Sequence, residues 1–191
     1  MRKPFFTCDW AAPIRATWPK LVFPLLPPEP LNWLELGSFE GRSALWLVDN
    51  LLYHPFSKIH CVDKWDRRTP PDPNAGYDYE GVFDENTRDI EQIIKRKGSS
   101  SDVLPTFSPR QFNGCYIDSS HEYEDVLRDA RMALPLMKPG GVIIFNSYEC
   151  LVNDGVRLAV QKLFHEWKHS AKIVNIDYQV IFQGLEYPRS L

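Results

Sequence analysis

The sequence predicts an α/β fold: a doubly wound, Rossmann-like sheet of seven strands, mostly parallel with an antiparallel C-terminal strand, and helices on both faces. Three observations carry this. Apolar runs of strand length at 31–36, 59–62, 112–118 and 142–145 alternate with segments whose apolar residues recur at helical spacing. The first run ends in an acid and a Gly37-x-x-x-Gly41 turn, and Asp63 and Asp118 stand at the ends of two others. The last two runs, 172–176 and 178–183, are joined too tightly for a crossover helix and must pair antiparallel.

Residues 1–30 form an arm rich in proline and aromatic side chains, read as part of one domain with 31–191. A helix is predicted over 11–22, stopped by Pro24, Pro27, Pro28 and Pro30. Leu31–Leu36 is the first strand. Gly41–Tyr53 is a helix with Ala44, Leu47, Val48, Leu51 and Leu52 on one face, and Ile59–Val62 is a short buried strand. Residues 64–82, with three prolines and no periodicity, read as a lid or binding loop. A short helix over 83–92 leads into a third strand, Ile93–Arg96, and Phe112–Asp118 is the fourth. Ser119-x-x-Glu122 matches a capping box before a helix bearing Tyr123, Val126, Leu127, Ala130 and Leu134 on one face. Pro139-Gly140-Gly141 turns into Val142–Phe145, the fifth strand. Asn153–Lys168 is a helix that buries Val156, Ala159, Val160, Leu163 and Trp167.

Length and charge bound the function. A chain of 191 residues suits one domain that buries roughly 70% of its unfolded surface. A net charge of −3 lacks the basic footprint of a nucleic-acid binder. No apolar run is long enough to span a membrane, and the N-terminus makes a poor signal peptide. Cys8, Cys61, Cys115 and Cys150 show no paired spacing, so they read as reduced thiols of a cytoplasmic protein, without zinc or disulfides.

In open α/β sheets, ligands bind beyond the carboxyl ends of the strands, where strand order reverses. Those ends carry Glu35–Gly37, Asp63, Lys97–Ser100, Asp118 and Asn146. Gly37 and Gly41, flanking Ser38, let the backbone approach a ligand. The helix opening at Arg42 and Ser43 aims N–H groups at an anion. Asp63, followed by Lys64, is placed to accept from both hydroxyls of a ribose, Trp65 to pack beside a base, and Ser99 and Ser100 to meet the base edge. Phe39 stands where a dinucleotide fingerprint has its middle glycine, so the nucleoside expected is S-adenosylmethionine.

The chain resembles class I S-adenosylmethionine-dependent methyltransferases, and more narrowly the small-molecule O-methyltransferase branch that includes macrolide sugar methyltransferases. The resemblance covers 31–183. It rests on Leu34-Glu-Leu-Gly-Ser-Phe-Glu-Gly-Arg-Ser43, Tyr116-Ile-Asp-Ser-Ser-His121, Leu136-Met-Lys-Pro-Gly-Gly-Val-Ile-Ile-Phe145 and Asn153-Asp-Gly-Val-Arg157. It implies methyl transfer, with Glu35, Gly37 and Asp63 at the cofactor and Asp118 and His121 over the acceptor. Metal-dependent relatives carry two further acids after the fifth strand for a magnesium ion. Here those positions are Asn146 and Ser147, which leaves at most a weak site from Asp118, Asn146 and Ser147, with Glu149 nearby.

A sugar hydroxyl is a weak acid, so its methylation needs a base or a metal, and His121 is the favoured base. Equally, His121 could be a solvated residue at a helix start, held protonated by Asp118 and Glu122. Tyr77, Tyr79, Phe83, Trp10 and Trp18 either cover the acceptor or pack the arm against the sheet. No Asn/Asp-Pro-Pro-Tyr motif follows the fourth strand, which disfavours amine methylation. The expected activity is methyl transfer to a hydroxyl of a sugar or natural product, with a homodimer as one open assembly. A silent cofactor-binding module with a degraded metal site is the alternative.

Overall fold

The computed structural model describes residues 3–66, 76–150 and 154–184. The sheet forms in the order β3-β2-β1-β4-β5-β7-β6. Its strands are β1 (Asn32–Leu36), β2 (Lys58–Asp63), β3 (Ile93–Lys97), β4 (Phe112–Ile117), β5 (Met137–Phe145), β6 (Lys172–Asn175) and β7 (Val180–Gln183). The first five are parallel, while β7 runs antiparallel to both β5 and β6. Strand order reverses between β1 and β4, which makes their carboxyl ends the place for a ligand.

Side chains alternate across the strands, so the sheet carries a core on each face. One core joins Leu34 and Leu36 of β1 to Val126, Leu127 and Ala130 of α5 (Tyr123–Ala133) and to Val156, Ala159, Val160 and Leu163 of α6 (Gly155–Trp167). The other joins Trp33 to Ile14 and Trp18 of α1 (Ala12–Leu21), Ala44 and Leu47 of α2 (Arg42–Asn50) and Phe83 of α3 (Tyr79–Thr87). Trp18 is 0% exposed; its ring sits 5.6 Å from Trp33 and 5.1 Å, edge-on, from Tyr116. The segment before α1 is tied down by side chains: Thr7 bonds Glu40, Asn86 bonds the backbone of Phe5, and Arg42 reaches the Cys8 carbonyl and Asp9.

Three boundaries differ from the sequence reading. The helix expected at 83–92 begins four residues earlier, because the Asp78 side chain accepts from the Gly81 N–H at 3.0 Å and caps it there. Glu80 on its first turn then pairs with Lys95 (2.8 Å) and Lys97 (2.5 Å), locking α3 to the edge strand. Ser119 does not cap α5. Its hydroxyl turns to Asp129 at 2.9 Å, and the helix starts at Tyr123, where Ser120 accepts from the Glu122 N–H and donates to Asp125. The Pro139-Gly140-Gly141 turn lies inside β5, where the β4–β5 register slips between Phe112 and Gly114. Residues 67–75 of the 64–82 loop and the start of the predicted 153–168 helix lie outside the described residues.

Candidate active site

Five strand ends open into one cleft of about 830 Å³. It is lined by Leu36 and Gly37 after β1, Val62 and Asp63 at the end of β2, Gly98 after β3, Asp118 after β4 and Asn146 after β5. That volume is within the range of small-ligand pockets. Gly37 has φ +88°, and a Cβ there would lie 2.3 Å from the Asp118 carbonyl oxygen. The two loops therefore meet backbone to backbone, and only glycine fits. Gly41, also at positive φ, begins α2 as its N-cap.

Asp63 shapes the first loop. Its Oδ2 accepts from the Ser38 and Phe39 N–H groups and its Oδ1 from the Trp65 N–H, each at 2.9 Å. A carboxylate offers about four acceptor positions, so three are filled and one remains, on Oδ1. Trp65 lines the cleft, packs on Phe83 and donates its indole N–H to the Phe39 carbonyl at 2.7 Å.

Glu35 lies beneath this loop, 0% exposed, where Ser43 donates to its Oε1 at 2.5 Å. Burial pushes its carboxyl up to about 7, against the downward pull of that hydroxyl. Because the folded state holds this proton more tightly than the unfolded chain, stability falls as pH rises from the ordinary glutamate value of 4.5 through about 7. Glu35→Gln removes that slope. Its thermal midpoint is expected to fall less than the wild type's between about pH 5 and 8, and equal slopes would disprove the assignment.

At the other end of the cleft, Asp118 is 23% exposed and surrounded by donors. Tyr116 Oη donates to its Oδ2 at 3.2 Å and Asn146 Nδ2 to its Oδ1 at 3.0 Å. His121 Nε2 stands 3.6 Å from the same Oδ1, with 40% of its side chain exposed. The Asp118 carboxylate raises the imidazole above its ordinary value, burial works against this, and Glu122 adds to the rise.

Another wall of the cleft is built by Gly98, Ser99, Ser100 and Ser101, at the start of a short helix, α4 (Ser100–Val103), that the sequence did not reveal. Ser99 caps it through Asp102. Ser100 and Ser119 both donate to the buried Asp129, at 2.5 and 2.9 Å, with Arg128 at 3.4 Å. Asp129 and Gln179 were missed in the sequence. Asp129 leaves a signal, an acid on the apolar face of α5 beside Val126 and Ala130, whereas Gln179 sits in a hairpin without one.

Of the candidate residues, Gly37, Asp63, Lys64, Trp65, Ser99, Ser100, Asp118, His121, Asn146 and Ser147 line the cleft. Ser38, Arg42 and Ser43 border a smaller pocket behind it, while Glu35 and Gly41 line neither. The Arg42 side chain turns away to the arm, over the Phe6 ring. The aromatic residues divide. Trp18 and Phe83 are core, whereas Trp10, 58% exposed, reaches the cleft and heads a row through Phe39 (4.9 Å) to Tyr79 (4.3 Å) and Tyr77 (4.7 Å).

The residues present do not fit a magnesium ion. Asn146 turns its N–H group, not its oxygen, to Asp118, and its Oδ1 accepts from Gln179 Nε2 at 3.0 Å. Among the described residues no group of three or more His, Cys, Asp or Glu could hold a metal, and magnesium requires oxygen ligands in near-octahedral array. No helix among them is long and apolar enough to cross a membrane.

Residues 34–148 match the family model of a methyltransferase domain. No curated protein matches significantly. Among solved structures, the O-methyltransferase NovP superposes with a TM-score of 0.63 at 17% identity, covering 91% of this chain and 78% of its own. The O-methyltransferase from Bacillus cereus, in complex with S-adenosylhomocysteine, gives 0.59 at 16% identity, with 81% and 74% covered. TomG from Streptomyces achromogenes, an O-methyltransferase of tomaymycin synthesis bound to S-adenosylmethionine, gives 0.61 at 16%, with 81% and 73% covered. These likenesses share the fold of this chain.

Proposed function

The chain belongs to the methyltransferase domain family, and we propose that it transfers the methyl group of S-adenosylmethionine to a hydroxyl of a small molecule, a sugar or natural product. The observation that supports this best is the single cleft in which an acid, Asp63, and an acid–histidine pair, Asp118 and His121, lie at or after the ends of different strands. S-adenosylmethionine supplies an activated methyl on a sulfonium.

The chain's part is to hold, orient and deprotonate. Asp63 takes one ribose hydroxyl on Oδ1, while Ser99 and Ser100 meet the adenine edge beside Trp65. Gly37 lets the loop backbone close on the ligand, while the start of α2 borders the smaller pocket. The acceptor lies between His121 and the aromatic row from Trp10 to Tyr79, with Tyr178 and Ser147 across the cleft. His121 Nε2 faces Asp118, leaving Nδ1 to take the acceptor's proton. The acceptor oxygen then bonds the methyl carbon as the carbon–sulfur bond breaks, with the electron pair passing to sulfur. The displacement is in line, so positioning and exclusion of water supply most of the rate.

Calorimetric titration with S-adenosylmethionine and S-adenosylhomocysteine, with and without magnesium, tests the reading. Micromolar binding unaffected by magnesium is expected. Absence of binding overturns it, and binding without turnover over a panel of hydroxyl acceptors would identify the silent module instead.

A further inference from the structure

Three buried side chains, Trp18, Gln179 and Asn146, link the arm to Asp118 at the reactive end of the cleft. Trp18 Nε1 donates to Gln179 Oε1 at 2.8 Å. Gln179 Nε2 donates to Asn146 Oδ1 at 3.0 Å and approaches Tyr116 Oη at 3.4 Å. Asn146 Nδ2 donates to Asp118 Oδ1 at 3.0 Å and to Ser147 Oγ at 3.1 Å. Each amide alone could turn end for end, but the chain cannot. An indole N–H only donates, so Gln179 must present its oxygen to Trp18 and its NH₂ to Asn146. Asn146 must then present its oxygen to Gln179 and its NH₂ to Asp118. Tyr116 completes the same polarity, since its hydroxyl donates to Asp118 Oδ2.

We propose that this relay, polarised by Trp18, sets an amide N–H on Asp118 in the place of a divalent cation. Gln179 and Trp18 are thus positioning residues of a site that works without metal. The proposal rests on the functional reading above and adds how its catalytic acid is held. An ion between Asp118 and Asn146 would meet a donor hydrogen where it needs a lone pair. Turning Asn146 to accommodate it would set its NH₂ against the Gln179 NH₂, and turning Gln179 would set an NH₂ against the Trp18 N–H. Unpaired donors in a dry interior are expensive, and three of these residues are almost wholly buried: Trp18, Asn146 and Gln179. The relay also spans both ends of the chain, so α1 supports the position of Asp118 without touching it.

The test is titration of the full chain with Mn²⁺, followed by the EPR signal of the free ion, with and without S-adenosylhomocysteine. The wild type is expected to show no saturable site. Asn146→Asp, which offers a second carboxylate oxygen to Asp118, is expected to gain one, lost again in the double variant with Asp118→Asn. Gln179→Met frees Asn146 to turn its oxygen toward Asp118 and is expected to bring saturable Mn²⁺ binding into the measurable range where the wild type shows none, a gain that mere structural damage would not produce. One Mn²⁺ bound per wild-type chain and abolished by Asp118→Asn overturns the proposal. So does wild-type Mn²⁺ affinity in either the Asn146 or the Gln179 variant with its thermal midpoint intact. Failure of the wild type to bind S-adenosylhomocysteine counts against the functional reading alone, because the titration without it still decides the relay.

Discussion

Asp63→Ala is expected to weaken S-adenosylmethionine binding by about 1.5–3 kcal/mol, the worth of a hydrogen bond to a charged group, and to lower the thermal midpoint at the same time. The double effect follows from the geometry. The carboxylate proposed to offer Oδ1 to the ribose also anchors the Ser38, Phe39 and Trp65 N–H groups. Losing it removes a ligand contact and leaves the glycine loop without its acceptor. Asp63→Asn separates the two roles. Its one oxygen can still accept from Ser38 and Phe39, while its NH₂ would face the Trp65 N–H. The loop should largely hold in that variant while affinity falls. Calorimetry beside thermal melts reads both quantities, and unchanged affinity in Asp63→Ala removes the residue from the cofactor site.

His121→Ala is expected to lower turnover by roughly 10²–10⁴-fold, the range for a positioned general base, with cofactor affinity nearly intact. The pH profile gives a second reading. Asp118 raises the imidazole above its ordinary value, so the rate should climb as pH rises through the shifted value. Asp118→Asn removes the main cause of the rise. The rising limb should then move toward lower pH as maximal rate falls, with Glu122 still contributing. A limb that stays in place would mean that another group is the base, and equal loss of turnover and cofactor affinity in His121→Ala would mean a structural role.

Much of this architecture was legible because strands buried on both faces appear as mostly apolar runs. Leu31–Leu36, Ile59–Val62 and Phe112–Asp118 each fall within a residue or so of the strand observed, and the acids at their ends followed. Helix starts were less legible where a side chain overrides periodicity. Asp78 begins α3 inside a stretch that looks like loop, and Ser119 bonds Asp129 rather than capping its own helix. The network around Asp118 was beyond reach for another reason. Trp18 and Gln179 are separated by most of the chain, and neither spacing nor residue type shows that an indole and an amide meet. The substitution at Asn146 was visible, but what it does depended on which end of the amide faces the acid.

The Trp18–Gln179 contact also orders events during synthesis. A chain made from its N-terminus presents α1 long before β7 exists, and N-terminal segments start to fold as they emerge. Trp18 can dock early on Trp33, which follows closely in sequence, but its N–H finds no amide until the final hairpin has been made. Until then Asp118 lacks the relay that holds it. A nascent or C-terminally clipped chain would thus carry most of the sheet and the glycine loop without a finished reactive end, so competence for chemistry arrives only with the last strand.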